Sequence, residues 1–200
     1  MDEKKSRKHR VTAFGTVRVM AFSAVLVAMS IVCGKYLAFG LGNVMRFSFE
    51  NLPILMAGIM FGPAVGLAVG IIADLLGCML VGYNINLIVT AGAASIGLLA
   101  GIFYRVSSKL PYFFRIILSV GIAHIVGSVI IKTFGLSAFY DMPFMALMLW
   151  RALNYLIVGA AEGFFLSFLL KSKAITNEIN KILPRRDAYR SDNELKGKDL

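Results

Sequence analysis

Asp74, His124, Lys132, Arg151 and Glu162 stand inside stretches that are otherwise almost wholly apolar. An ionisable group at the centre of a membrane helix costs on the order of 3 kcal/mol on insertion, so each asks for a partner or a role. Asp74 falls at mid-depth of its segment on a ridge of small residues, where it is either held by a neighbouring helix or in contact with a ligand. Arg151, Asn154 and Glu162 share one face of a helix by their spacing, with Tyr155 beside them, and that face must look inward. Arg151 lies about two turns below the outer end, the depth of a pocket open to the outside, and its planar fork suits a carboxylate. Glu162, near the inner end, reads as a partner for another helix, and His124 as a hydrogen-bonded packing residue. Lys132, at the outer end of its helix, reads as a lysine that snorkels.

A second group is contiguous. Arg46, Phe47, Ser48, Phe49, Glu50 and Asn51 precede the apolar segment Leu52 to Phe61. At about 1.5 Å per helical residue, that segment cannot cross a hydrocarbon core of about 30 Å. The chain therefore enters the membrane only partway, and non-helical backbone is tolerated there only where protein buries it or a watery cavity faces it. This is the composition of a binding-site mouth.

Catalysis is not indicated. The sequence has no phosphate-binding Gly-x-x-x-x-Gly-Lys-Ser/Thr loop, no His-Glu-x-x-His and no Gly-x-Ser-x-Gly, so no catalytic residue is assigned. Cys33 and Cys78 lie in apolar spans without metal-ligand spacing, and neither a metal nor a cofactor is expected. Were the protein to concentrate a ligand across the membrane, the energy would have to come from elsewhere, an ion gradient or an ATP-hydrolysing partner.

The elements that must hold these residues are membrane helices. Hydrophobic residues make up 58% of the 200-residue chain and charged ones 16%, outside the usage of soluble domains, and mean hydropathy is +0.76. The apolar segments lack the short alternating pattern of an outer-membrane barrel. The net charge of +10 sits in a basic tail and short loops, where the positive-inside rule places it, which argues against nucleic acid. The fold class predicted is an all-α membrane protein, a six-transmembrane-helix bundle with a short second helix and both termini cytoplasmic. Residues 1–16 form a basic cytoplasmic tail, 17–170 the membrane domain and 171–200 a cytoplasmic C-terminal tail.

The six helices are predicted at Val17 to Phe39, Leu52 to Phe61, Pro63 to Gly82, Ile85 to Tyr104, Arg115 to Phe134 and Pro143 to Leu170. Outer loops then fall at Tyr83 to Asn86 and Gly135 to Met142. Gly66, Gly70, Asp74 and Cys78 recur every four residues on the third, and Ala93, Gly97 and Gly101 on the fourth, a spacing for close helix approach. Ala21, Ala24 and Ala28 share a face of the first helix that either packs inside the bundle or docks a partner. Phe49, Tyr83, Tyr140 and Trp150 map to outer helix ends, as an interfacial belt or as a platform for a planar ligand.

Arg46-Phe47-Ser48-Phe49-Glu50-Asn51-Leu52-Pro53, Phe61-Gly62-Pro63, Ala73-Asp74-Leu75-Leu76-Gly77 and Gly82-Tyr83-Asn84-Ile85-Asn86 resemble the folate-specific substrate-binding (S) components of energy-coupling factor (ECF) transporters. Leu149-Trp150-Arg151 and Gly159-Ala160-Ala161-Glu162 fit the same family, and the resemblance covers about residues 17–170. Leu87 departs from it, since many relatives carry a proline after the asparagine. The resemblance implies a multi-pass protein of a bacterial cell membrane that binds folate or a related pterin from the outside. It implies a transmembrane coupling (T) protein and two ATPase subunits as partners, with Ala24-x-x-x-Ala28 matching the motif that meets the T protein. Phe49 and Tyr83 would sandwich the ligand's rings. Asn84, Asn86 and Asn154 would pair with its polar edges, and Arg46, Lys132 or Arg151 with its carboxylates. Glu50, Asn51, Asp74 and Trp150 complete the candidate set. Related S components take thiamin, riboflavin or biotin on the same bundle, so the substrate rests on the motif alone. The reading from another class is an ion-coupled secondary transporter with Asp74, Glu162 and His124 on a relay.

Overall fold

The computed structural model describes residues 17–41 and 45–172. The basic tail, the C-terminal tail from residue 173 and the predicted break at Gly42 and Asn43 lie outside the described residues. Helix α1 spans Val17–Lys35, ending four residues before the predicted Phe39. Phe39–Leu41 instead forms strand β1, antiparallel to β2 at Met45–Phe47, with Phe39 opposite Phe47 and Gly40 opposite Arg46. Gly40 is a poor helix residue, by about 1 kcal/mol against alanine, and two short strands satisfy each other's backbone where the chain dips among the helices.

Helix α2, Asn51–Phe61, has 11 residues and so rises about 16 Å, half the depth of a bilayer core. The segment read from the sequence as too short to cross is thus an 11-residue helix. Gly62 turns the chain with φ 105°, a conformation L side chains rarely adopt, and Pro63 opens α3, Pro63–Val81. Helix α4 spans Leu87–Val106, two residues later than predicted, because Asn86 is its N-cap. The Asn86 side-chain oxygen accepts from the backbone N–H of Ile88 and Val89 at 3.0 and 3.3 Å.

Helix α5 runs over Tyr112–Tyr140, longer than predicted at both ends, so most of the segment expected as an outer loop is helical. Within it His124–Ile131 is π-helical. Asp141, at φ 51°, turns the chain into α6, Phe144–Lys171. Five of these helices, α1, α3, α4, α5 and α6, are long and apolar enough to cross a membrane, and α2 is the short apolar sixth.

The predicted small-residue ridges pack backbone on backbone. A Cβ on Gly66 would strike the Gly97 carbonyl, and one on Gly101 would lie 2.6 Å from the Gly58 carbonyl oxygen. Leu55, Ile96, Ile116 and Leu166, from α2, α4, α5 and α6, fill the core. Leu156, Phe164 and Phe168 are each more than 60% exposed on α6, the outward apolar face that a lipid-embedded bundle requires.

Candidate functional site

A cavity of about 360 Å³ opens at the end of the bundle opposite the Gly62 turn, where α1 ends, α3 passes into α4 and α5 into α6. Of the residues singled out in the sequence, Glu50, Asp74, Tyr83, Asn84, Asn86, Lys132, Trp150, Arg151 and Asn154 line it. Segments far apart in the chain converge there because the short α2 leaves room above its N-terminus. The turn that carries Glu50 supplies the cavity with a floor.

That floor is a buried charge array. Lys132 is 4% exposed, and its Nζ lies 3.2 Å from Glu50 Oε1 and 3.5 Å from Asn51 Oδ1. The snorkelling predicted for Lys132 is therefore corrected. Its helix continues to Tyr140, which places Lys132 about two turns from that helix end, where the ammonium turns inward to Glu50 and the cavity floor. The Ser30 hydroxyl donates to the Glu50 carbonyl oxygen at 2.6 Å, anchoring the turn to α1. On the α3 wall the Thr90 hydroxyl donates to Asp74 Oδ2 at 2.6 Å, so Asp74 is both bonded to a neighbouring helix and exposed to the cavity. The two readings of Asp74 are compatible.

On the α6 wall the Arg151 Nε–H donates to the Ser128 carbonyl oxygen at 3.1 Å, and the guanidinium lies 5.4 Å from the centre of the Tyr155 ring. Asn86 also ties the rim to α5, donating to the Gly135 carbonyl at 2.8 Å. Two predicted residues, Phe49 and Asn51, are not among the described lining residues, and the Arg46 side chain lies outside the described residues. Phe49 packs edge-on against Phe165 at 5.9 Å, Asn51 is fully buried beneath the floor, and Arg46 is described only by its backbone in β2.

Beyond the candidate ligand contacts named from the sequence, the cavity also takes in Lys35, Ser48, Cys78, Tyr140 and Tyr155. The Lys35 ammonium lies 5.2 Å from the Tyr83 ring centre, a cation–π contact in place of a simple interfacial lysine. The signal for Tyr155 was present: it follows Arg151 by four residues and so sits on the same face. Among the described lining residues, Lys35, Lys132 and Arg151 outnumber Glu50 and Asp74. With Glu50 engaged by Lys132, the cavity favours a ligand that is aromatic, rich in hydrogen-bonding edges and anionic.

Glu162 is fully buried and pairs with His124, Oε2 to Nε2 at 2.5 Å, which realises its reading as a helix-to-helix partner and supplies the partner that His124 lacked in the sequence pattern. Ala21, Ala24 and Ala28 are exposed on α1. Ala24 and Ala28 line a second, apolar groove of about 490 Å³ against Ala68, Ile72 and Leu76 of α3.

The family model described as "ECF transporter, substrate-specific component" matches residues 18–171. The chain is similar to the folate transporter FolT of Clostridium novyi (strain NT), at 28% identity over 58% of this chain and 67% of that protein. Its fold matches the crystal structure of FolT bound with folic acid, with a TM-score of 0.63 at 23% identity, covering 76% of this chain and 92% of that one. It matches the S component for biotin from an ECF-type ABC transporter as well, with a TM-score of 0.59 at 17% identity over 78% and 92%.

Proposed function

This chain belongs to the substrate-specific components of ECF transporters, and from that premise we propose that it captures folate or a related pterin and hands it to an energy-coupling module. The observation that carries the substrate is the lining of the 360 Å³ cavity: Tyr83, Trp150 and Tyr155 for flat rings, amides for polar edges, and a surplus of cations for carboxylates. The similarity to a folate transporter points the same way, whereas the shared fold does not, because a biotin-binding S component has it too. In this reading Arg151, with Arg46, holds the ligand's carboxylates, and Asp74, Asn84 and Asn154 meet the hydrogen-bonding edge of the pterin. Phe49 and Asn51 support the floor from beneath.

In this reading both termini lie in the cytoplasm of a bacterial cell, as the positive-inside rule favours for the basic segments, and the cavity faces outward. The coupling module consists of a transmembrane T protein, docking at the Ala24 and Ala28 groove, and two ATPase subunits. Trp150, the single tryptophan, lines the cavity and reports its occupancy. Purified protein titrated with folic acid is expected to show a saturable change in Trp150 emission. Saturation by thiamin, riboflavin or biotin, with none by folates, would replace the substrate and keep the family.

A further inference from the structure

The π-helical stretch of α5 begins at His124 and lies directly behind the cavity wall that carries Arg151. Its hydrogen bonding has a local consequence. The Lys132 N–H bonds to the Gly127 carbonyl, five residues back, and is not spent on the Ser128 carbonyl four residues back. Where a π segment returns to α geometry one carbonyl loses its usual donor, and such bulges gather at functional sites. Here that carbonyl is Ser128, and the Arg151 Nε–H takes it at 3.1 Å.

The same stretch is pinned from below. His124 Nδ1 lies 3.1 Å from Ser128 Oγ, and Nε2 lies 2.5 Å from Glu162 Oε2 on α6. The imidazole also stacks on Tyr155, with centroids 5.0 Å apart and planes 24° apart, and Tyr155 is the ring beside the Arg151 guanidinium. His124 thus reaches Arg151 by two routes, through Ser128 and through Tyr155. His124 and Glu162 are 3% and 0% exposed and neither lines the cavity, so they act on a ligand only through other residues.

We propose that the His124–Glu162 pair is a positioning device for Arg151, fixing the Ser128 carbonyl and the Tyr155 ring so that the guanidinium is presented to an anionic ligand in one orientation. A preorganised cation loses less freedom on binding than one on a mobile side chain. This rests on the reading of Arg151 as a ligand contact.

The test is a double-mutant cycle on folic acid binding to the purified full chain. Glu162→Ala is expected to weaken binding about tenfold in the native background and less than twofold in an Arg151→Ala background, with Glu162→Gln restoring most of the loss because its amide oxygen still accepts from His124. Equal losses in both backgrounds, or no loss in the native one, would overturn the proposal. Where Glu162→Ala does not fold, Ser128→Ala, which removes only the hydroxyl bonded to His124, is put through the same cycle and decides by the same criteria. A ligand-independent arm separates this inference from the substrate assignment. Mass-spectrometric mapping of phenylglyoxal modification in the unliganded protein is expected to show Arg151 reacting severalfold faster in Glu162→Ala or Ser128→Ala, with Arg115 unchanged. An Arg151 rate unaltered by either variant overturns the positioning role, whatever vitamin the cavity accepts.

Discussion

Arg151 and Asp74 make opposite demands on a substitution. Arg151 lines the cavity, and if it holds a ligand carboxylate as proposed, Arg151→Ala removes a charge-assisted bond, an expected loss of about 2 kcal/mol and roughly thirtyfold in affinity. Titration with folic acid and with a pterin that lacks the glutamate measures it, and the second ligand should be far less affected. Asp74 is held by the Thr90 hydroxyl, which Asn can still satisfy through its amide oxygen, whereas Leu removes that acceptor and leaves the hydroxyl only its longer bond to the Asn86 carbonyl at 3.2 Å. Asp74→Asn is therefore expected to keep both fold and binding within a few-fold, and Asp74→Leu to cost about 1–3 kcal/mol of stability as well as binding. Equal thermal unfolding temperatures in detergent for the two variants would contradict this. Asp74 and Arg151 were legible as inward-facing groups because burying a charge in lipid is expensive whatever the fold. Lys132 was not, since its depth depends on where α5 ends, and the six residues from 135 to 140 lower it by about 9 Å relative to the helix end.

Helices α2, α3 and α4 meet through glycines, and substitution should reveal which of these are contacts. Gly97→Ala places a methyl against the Gly66 backbone, which cannot move without shifting a helix, and is expected to lower stability by at least 1–3 kcal/mol. Gly121 in α5 has nothing within 4 Å of a Cβ, so Gly121→Ala is the matched control, neutral or stabilising by about 0.5–1 kcal/mol. Thermal unfolding of the pair in one detergent checks both. The four-residue spacing announced the ridges of α3 and α4, though not the Gly58 contact of α2, because close helix approach has a residue-size requirement that a sequence displays. The β1–β2 ribbon and the π-helical stretch carried no comparable signal. Three-residue strands are too short for a periodicity, and π and α turns draw on the same apolar residues, the choice between them depending on what packs alongside.

For the assembly, the apolar groove between α1 and α3 lies apart from the cavity, and the two share only helices, with no lining residue in common. Replacing Ala24 and Ala28 together with leucine adds bulk to the groove at which the proposed coupling protein would need close backbone approach. The variant is expected to titrate with folic acid like the native protein and to lose uptake in cells. Normal uptake by the double variant, or concentration of folate in liposomes by native protein without partners, would count against dependence on a coupling module.

Amino-acid order alone determined that this chain lives in lipid, that one segment is too short to cross it, that small residues bring the third and fourth helices together, and that the charges of the third and last helices look inward. Each of those follows from a cost paid residue by residue: transfer into hydrocarbon, rise per residue, side-chain size. Tertiary structure alone decided which charges meet. Glu50 and Lys132 are 82 residues apart, His124 and Glu162 are 38 apart, and Ser128 offers its carbonyl to Arg151 only because a π turn releases it. Pairing across such separations depends on the relative depth and rotation of whole helices, quantities set by all the packing contacts at once and encoded in no single stretch.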